Sequence, residues 1–385
     1  VVAVTDQQFK MENRVSQIAA RVIAAAGANL PADAALRTEL RTQQDLSQAQ
    51  SERIAHAVFS YYRWMRWLSP RETPVQRVEH AADLARQFAD DPSVIPDAAL
   101  RSNAVPDWIH SAMETPIEWL RALQAEPSLW IRARADRTAS LMQVLRDCFP
   151  VNTLPAALSY DGPLDLFRTP EFHAGEFELQ DIASQAVGHF CAPQPRETWW
   201  DACAGEGGKM LHLSDLMGNT GLIWATDRAL WRLKQLKRRA ARAKAFNYRS
   251  VLWNGSKKLP TKTRFDGVLV DAPCSGVGTW QRNPHARWTT SPADVGELGQ
   301  AQLTLLSHVA PLVKPGGRLV YSVCTLTTKE TGDVTREFQK NFPEFEPFPA
   351  ANPFIPAAAP SALQWWWPHQ TGGGGMFVAS WRRTG

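Results

Sequence analysis

The chain predicts a doubly wound α/β domain at its C-terminal end, preceded by an all-helical domain and a small α+β unit. Three observations carry this. From about residue 191, apolar strand-like runs alternate with helical stretches, the pattern of a mostly parallel sheet covered by helices. Residues 1 to about 120 show apolar residues at helical spacing. Between about 127 and 190, short extended pieces are separated by Gly and Pro. At 385 residues the chain exceeds one ordinary core. The expected domains are 1–125, 126–190 and 191–385.

In the first part, Val15, Ile18, Ala19, Val22 and Ile23 recur on one helical face. So do Ile54, Val58, Tyr61, Tyr62, Met65 and Leu68, in a helix expected to start near Ser51 with Glu52 in its first turn. Pro70, Pro74, Pro92 and Pro96 are expected to break the helices that follow. No GxGxxG, His pair or carboxylate pair stands out. In the middle part, 129–134, 157–159 and 177–179 read as strands and 140–147 as a short helix. In the last part the strand candidates are 198–201, 222–227, 250–253, 267–271 and 318–322. The final one, 376–381, follows four glycines and reads as an edge strand.

Composition narrows the class. Hydrophobic residues at 44% and charged residues at 21% are globular values and exclude a disordered chain. A net charge of +4 permits an anionic partner without requiring one. Sixteen tryptophans serve packing more often than base stacking. The cysteines, Cys148, Cys191, Cys203, Cys274 and Cys324, form no CxxC pair, which argues against structural zinc, and their odd, scattered placement argues for a reducing compartment. The opening VVAVTDQQFKMENR lacks a basic segment leading into an apolar core, and the apolar stretch 18–28 is interrupted by Arg21 and too short to span a bilayer. The expectation is a cytoplasmic monomer with no metal and no membrane partner.

The string Asp201-Ala202-Cys203-Ala204-Gly205-Glu206-Gly207-Gly208-Lys209 follows the first C-terminal strand and precedes a helix. Its glycines allow a sharp turn and close ligand approach, and the helix start can hold a carboxylate. The spacing fits neither the dinucleotide fingerprint nor the P-loop, since Met210 follows Lys209. Asp227 ends the second strand, where an acid suits ribose hydroxyls; a helix cap is the competing role.

Asp271-Ala272-Pro273-Cys274-Ser275-Gly276 follows an apolar strand, and the next strand ends Tyr321-Ser322-Val323-Cys324-Thr325. Two thiols are thus expected at the ligand-binding ends of two strands. Cys148, Cys191 and Cys203 read instead as small buried hydrophobes.

The strings DACAGEGGK, FDGVLVDAPCSGVGTWQRNP and LVYSVCTLTTKE resemble the motifs of the bacterial RsmB and eukaryotic Nop2/Sun family of RNA cytosine-5 methyltransferases. FELQDIASQ leading into the domain, and the closing Trp367-Pro368-His369 with GMFVA, are similar to the same family. The resemblance covers about 175 to 385. The helical front resembles, more loosely, the NusB-like RNA-binding domain of some members.

The resemblance implies a Rossmann-like methyltransferase domain using S-adenosylmethionine, held by Cys203, Ala204, Gly205, Glu206, Gly207, Gly208, Lys209, Asp227 and Asp271, with Asn254 near the adenine. It implies Cys324 as nucleophile, Cys274 in product release and Asp271 at the cytosine N3/N4 edge. Lys209 joins the catalytic set as a cation for the Cys324 thiolate, with a solvated or phosphate-facing lysine as the alternative. Glu206 stands where the family usually has Pro, Val323 where it has Thr, and His285 where an acid is common.

Arg282, Asn283, Arg287 and Trp288, after the Cys274 loop, are expected to touch the target nucleotide. Arg228, Arg232, Lys234, Lys237, Arg238, Arg239, Arg242, Lys244 and Arg249 form a run without acids, read equally as a solvated helix back or a phosphate contact. The expected substrate is ribosomal RNA, with transfer RNA open. The alternatives are a non-catalytic RNA-binding assembly factor and a methyltransferase for small molecules or proteins.

Overall fold

The computed structural model describes residues 6–43, 45–134 and 136–385, so the first five residues of the N-terminal stretch lie outside it. The chain divides into two compact units. One comprises Val1–Glu126 and Thr279–Ser291; the other comprises Pro127–Gly278 and Pro292–Gly385. The middle region belongs to the second unit rather than standing alone, and a short segment after the Cys274 loop belongs to the first.

The first unit is helical, with principal helices Asp6–Ala25, Ala32–Thr42, Gln48–Trp64 and Pro74–Asp90. Ile18, Val22, Ile54, Val58 and Trp64 are buried in its core. The third helix starts earlier than its apolar pattern suggests. Ser47 accepts a hydrogen bond from the Gln50 N–H while the Gln50 side chain accepts from the Ser47 N–H, a reciprocal cap. Pro74 opens a helix instead of breaking one. It occupies the first turn, where its missing N–H costs nothing, behind a Thr73–Gln76 cap.

The second unit holds two sheets. The smaller contains β1 (Leu129–Ala133), β2 (Cys148–Pro150), β3 (Ala157–Tyr160) and β4 (Phe177–Leu179), all antiparallel in the order β2-β3-β1-β4. Strand β2 was not expected from its three residues, which carry an exposed Phe149 and a proline.

The larger sheet contains β5 (Thr198–Asp201), β6 (Leu222–Asp227), β7 (Tyr248–Leu252), β8 (Phe265–Asp271), β9 (Val313–Val323), β10 (Phe345–Pro347), β11 (Leu363–Trp366) and β12 (Met376–Arg383). Its order is β10-β12-β9-β8-β5-β6-β7, with β11 also paired to β12. Strands β5 to β9 run parallel, and β12 runs antiparallel to β9. Both faces are covered: Trp199, Leu269, Val320 and Val378 pack on one side, Trp200, Val268, Val270, Tyr321 and Phe377 on the other. That explains the near-continuous apolar strand runs. Chain order reverses between β5 and β8, which places the ligand crevice outside their carboxyl ends.

Strand β12 is not an edge. Met376 through Trp381 are all buried, with β9 on one side and β10 and β11 on the other. The preceding glycines allow close approach: a Cβ on Gly375 would lie 3.0 Å from the Gly278 Cα.

Candidate active site

The parallel register of β8 and β9 builds the site. Asp271 pairs with Ser322, so both strands finish side by side and release their following turns together. Cys274 lies three residues beyond Asp271, and Cys324 two beyond Ser322. Their sulfurs stand 3.1 Å apart. The backbone carries the pairing on, with the Ala272 N–H donating to the Ser322 carbonyl and Gly278 to that of Cys324.

Asp271 is held at both oxygens. Lys209 Nζ donates to Oδ2 at 2.7 Å and the Ser322 hydroxyl to Oδ1 at 2.8 Å. Lys209 comes from the helix Gly208–Leu216 and keeps only 11% of its side chain exposed. Burial works against its charge, yet the adjacent Asp271, and then Cys324, hold its pKa above the ordinary lysine value. This placement disfavours the solvated or phosphate-facing lysine. As an acceptor at both oxygens, Asp271 is suited to accept a hydrogen bond from an exocyclic amino group.

Cys274 is a weakly acidic thiol. Its hydrogen bond with Cys324, then burial, then the charges of Cys324 and Glu330 raise its pKa well above the usual thiol value. Elsewhere burial dominates: it pushes the Cys148 thiol up to about 11 and those of Cys191 and Cys203 higher still. Cys148 and Cys191 are buried as small hydrophobes, whereas Cys203, in the glycine-rich turn, stays partly exposed.

The glycine-rich turn follows β5. Gly205 and Gly207 take the left-handed conformation, at φ +54° and +90°. A Cβ at Gly205 would meet open space, whereas one at Gly207 would strike Leu236 at 2.8 Å. One glycine therefore leaves room for a ligand and the other permits close packing. Asp227 Oδ2 accepts from the Gly205 N–H at 3.1 Å and Oδ1 from Ala229 N–H at 2.7 Å. Asp227 thus ties the glycine-rich turn to the start of the following segment, whose helix begins after Ala229 with no side-chain cap. Asn254 is exposed and accepts from the Ser256 N–H. Glu206 is exposed at the tip of the turn.

Two buried acids, Asp201 and Glu330, belong to the site although nothing in the sequence motifs singles them out. Asp201 is completely buried beneath the turn; burial, then the charge of Asp271, push its carboxyl up to about 8. Glu330 is also completely buried and collects hydrogen bonds from around both cysteine turns.

The segment after Cys274 departs from expectation. Arg287 is completely buried in the helical unit, donating to the carbonyls of Ala104 at 2.9 Å and Leu123 at 3.0 Å, and more weakly to those of Arg63 and Trp280. Its guanidinium neutralises carbonyls at helix ends, so it does not face a nucleotide. Trp288 donates its indole N–H to the Tyr62 carbonyl at 2.6 Å and is half-buried. Arg282 and Asn283 are exposed.

The basic run divides too. Arg232 to Arg242 lie along the helix Leu230–Arg242, which buries Leu233, Leu236 and Ala240, while Arg228 and Lys244 flank it and Arg249 is in β7. Arg239 and Arg242 turn to the buried Glu178. Arg228, Arg232, Lys234, Lys237, Arg238, Lys244 and Arg249 stay exposed. Among the described residues no group of His, Cys, Asp and Glu side chains could hold a metal ion, and no helix is long and apolar enough to cross a membrane.

The model of the family described as 16S rRNA methyltransferase RsmB/F matches residues 189–382, half of the chain. The chain belongs to the RsmB/F family. A probable ribosomal RNA small subunit methyltransferase B of Synechocystis is 34% identical over 270 residues, covering 64% of this chain and 59% of that protein. A similarly named Bacillus subtilis protein is 36% identical over 224 residues, covering 56% of this chain and 49% of its own. The RsmB/F chain described here thus spans about half to three fifths of the curated relatives it matches.

Among solved structures, PH0851 superposes with a TM-score of 0.77 at 23% identity, over 97% of this chain and 98% of its own, a likeness of fold. A methyltransferase homolog protein from Pyrococcus horikoshii is 26% identical with a TM-score of 0.58, covering 69% of this RsmB/F chain and 90% of its own.

Proposed function

We propose that this RsmB/F chain is an RNA (cytosine-5) methyltransferase using S-adenosylmethionine, with ribosomal RNA as substrate. The observation that carries the proposal is the meeting of the Cys274 and Cys324 sulfurs at 3.1 Å, beside the Lys209–Asp271 pair, at the carboxyl ends of β8 and β9. The relatives' names supply the RNA class.

The turn Cys203 to Lys209 and Asp227 fit the methyl donor: the space at Gly205 admits a ligand, and Asp227 stands at the end of β6 for ribose hydroxyls. When bound, S-adenosylmethionine supplies an electrophilic methyl group. Cytosine C5 is too weak a nucleophile to take it unaided. Cys324 as thiolate adds to C6, and the electron pair moved into the ring makes C5 nucleophilic. Asp271 accepts from the N4 amino group and orients the base, while Lys209 offsets its charge. After C5 takes the methyl group, its remaining proton passes to a base at the Cys274 position, Cys274 itself or a water it orients. The C5 electron pair then reforms the double bond and expels Cys324. The cytosine must be unpaired or flipped out of its stack. Asn254 near the adenine, and Arg282 and Asn283 toward the RNA, complete the proposed contacts. The two-thiol arrangement weighs against the scaffold and small-molecule readings, which give it no task.

The test is to incubate wild type, Cys324→Ala and Cys274→Ala with labelled S-adenosylmethionine and total RNA, then digest to nucleosides. The expected result is labelled 5-methylcytidine from wild type, none from Cys324→Ala, and a denaturant-resistant protein–RNA adduct from Cys274→Ala. Label in another nucleoside would overturn the assignment.

A further inference from the structure

Glu330 lies in the turn after β9 with no exposed surface. Its Oε1 accepts from the backbone N–H of Ser275 at 2.8 Å and from the Gln302 amide at 3.0 Å. Its Oε2 accepts from the hydroxyls of Ser275, Thr325 at 3.1 Å and Thr327 at 2.8 Å. Ser275 follows Cys274, and Thr325 follows Cys324. One carboxylate is therefore bonded to the residue next to each thiol. The Gln302 amide also donates to the carbonyl of Pro273, which precedes Cys274. Tyr321 closes the ring, its hydroxyl contacting the Gln302 side chain and the Glu330 carbonyl.

A buried carboxylate normally has a cation or a metal as partner. Among the described residues no salt bridge to Glu330 is found, and neutral donors alone surround it. A neutral side chain of similar shape would avoid the cost of burying a charge, so the charge itself calls for a role.

We propose that Glu330 is a positioning residue that clamps the Cys274 turn to the Cys324 turn and, by its charge, divides the labour between the two thiols. It contacts no reacting atom. Its hydrogen bonds fix where both sulfurs point. Its negative charge acts on Cys274 and disfavours a thiolate there. The Lys209 cation, bonded to Asp271, responds to the charge of Cys324. The Glu330 charge thus weighs against ionisation of Cys274 and the Lys209 charge favours it at Cys324, which makes Cys324 the attacking sulfur in the resting site.

The inference rests on the covalent reading of Cys324, so its test includes a measurement that needs neither RNA nor methyl donor. Wild type, Glu330→Gln and Ser275→Ala are treated with iodoacetamide, and alkylation of Cys324 and Cys274 is timed by peptide mass spectrometry. Wild type is expected to alkylate Cys324 about tenfold faster than Cys274, and Glu330→Gln to bring the two rates within about threefold. In turnover, Glu330→Gln is expected to lower kcat by about ten- to a hundredfold while both KM values stay within about threefold, the mark of misplaced reacting groups. Ser275→Ala, which removes one hydroxyl contact, is expected to move both readouts the same way by a smaller factor, and decides the matter alone if Glu330→Gln does not fold. Equal reactivity of the thiols in wild type, or an unchanged rate ratio in the variants, overturns the proposal. So does a kcat loss that comes only with a matching loss of thermal stability. A wild type that methylates no cytosine would sink the covalent reading, leaving the alkylation ratio to judge Glu330.

Discussion

Two stretches of this chain look equally functional on paper. One is the pair of turns bearing Cys274 and Cys324; the other is the basic and aromatic segment from Arg282 to Trp288 that directly follows the first. They differ in how their polar groups are used. At the thiol pair, sulfurs, carboxylate and ammonium gather at strand ends where a ligand is expected. In the second stretch, Arg287 spends its donors on the carbonyls of its own helical unit and Trp288 gives its indole proton to Tyr62. A basic residue near a catalytic motif is a substrate contact only if its donors are not already committed. Charge type and sequence proximity do not reveal that commitment; burial does.

The largest expected effect breaks the first stretch. Cys324→Ala should lower methyl transfer at least about a thousandfold, since it removes the proposed nucleophile. Its melting temperature should stay close to wild type. An active variant would move the nucleophile to Cys274. Next comes Arg287→Ala, which leaves buried carbonyls without donors and should destabilise the helical unit by about 3 kcal/mol. Thermal or denaturant unfolding measures this, and a variant of wild-type stability that binds RNA more weakly would restore the nucleotide-contact reading.

The same contrast explains what could be read without coordinates. The alternation of strand and helix, and the strand-end motifs, follow from local pattern, and β5, β6, β8 and β9 fall where apolar runs predict them. The thiol pair was legible because two odd residues, each after an apolar strand, are expected at one edge of a parallel sheet. The burial of Arg287 was not legible, because the carbonyls it serves belong to Ala104 and Leu123, far away in sequence. Glu330 was equally hidden: it is one acid in a polar turn, and only folding brings Ser275 and Gln302 to it. Strand β12 misled for a related reason. Four glycines suggest a loosely held edge, whereas Gly375 packs closely on Gly278 and the strand lies between neighbours.

Asp201 sharpens the comparison through pH. Burial, then the Asp271 charge, raise its carboxyl from 3.8 to about 8. Between about pH 4 and 8 the folded state therefore holds a proton that the unfolded state has lost, so this residue's contribution to stability falls as pH rises across that window. Asp201→Asn removes the titration. Its melting temperature relative to wild type should climb by several degrees from pH 5 to pH 8.5. Parallel curves for the two proteins would show that Asp201 is ionised throughout.

The smallest expected effect lies within the second stretch itself. Arg282 is exposed where Arg287 is buried, although only five positions separate them. If exposure is what distinguishes a substrate contact from a structural one, Arg282→Ala should leave the melting temperature within about 1 °C, since substitutions of exposed side chains change stability little. It should raise the KM for RNA by about threefold and reduce the salt slope of RNA binding by about 1, as loss of one phosphate contact does. Affinity measured at several salt concentrations separates the cases. An unchanged slope would mean that this segment takes no part in holding RNA, leaving the exposed face of the Leu230–Arg242 helix as the basic surface to examine for phosphate contacts.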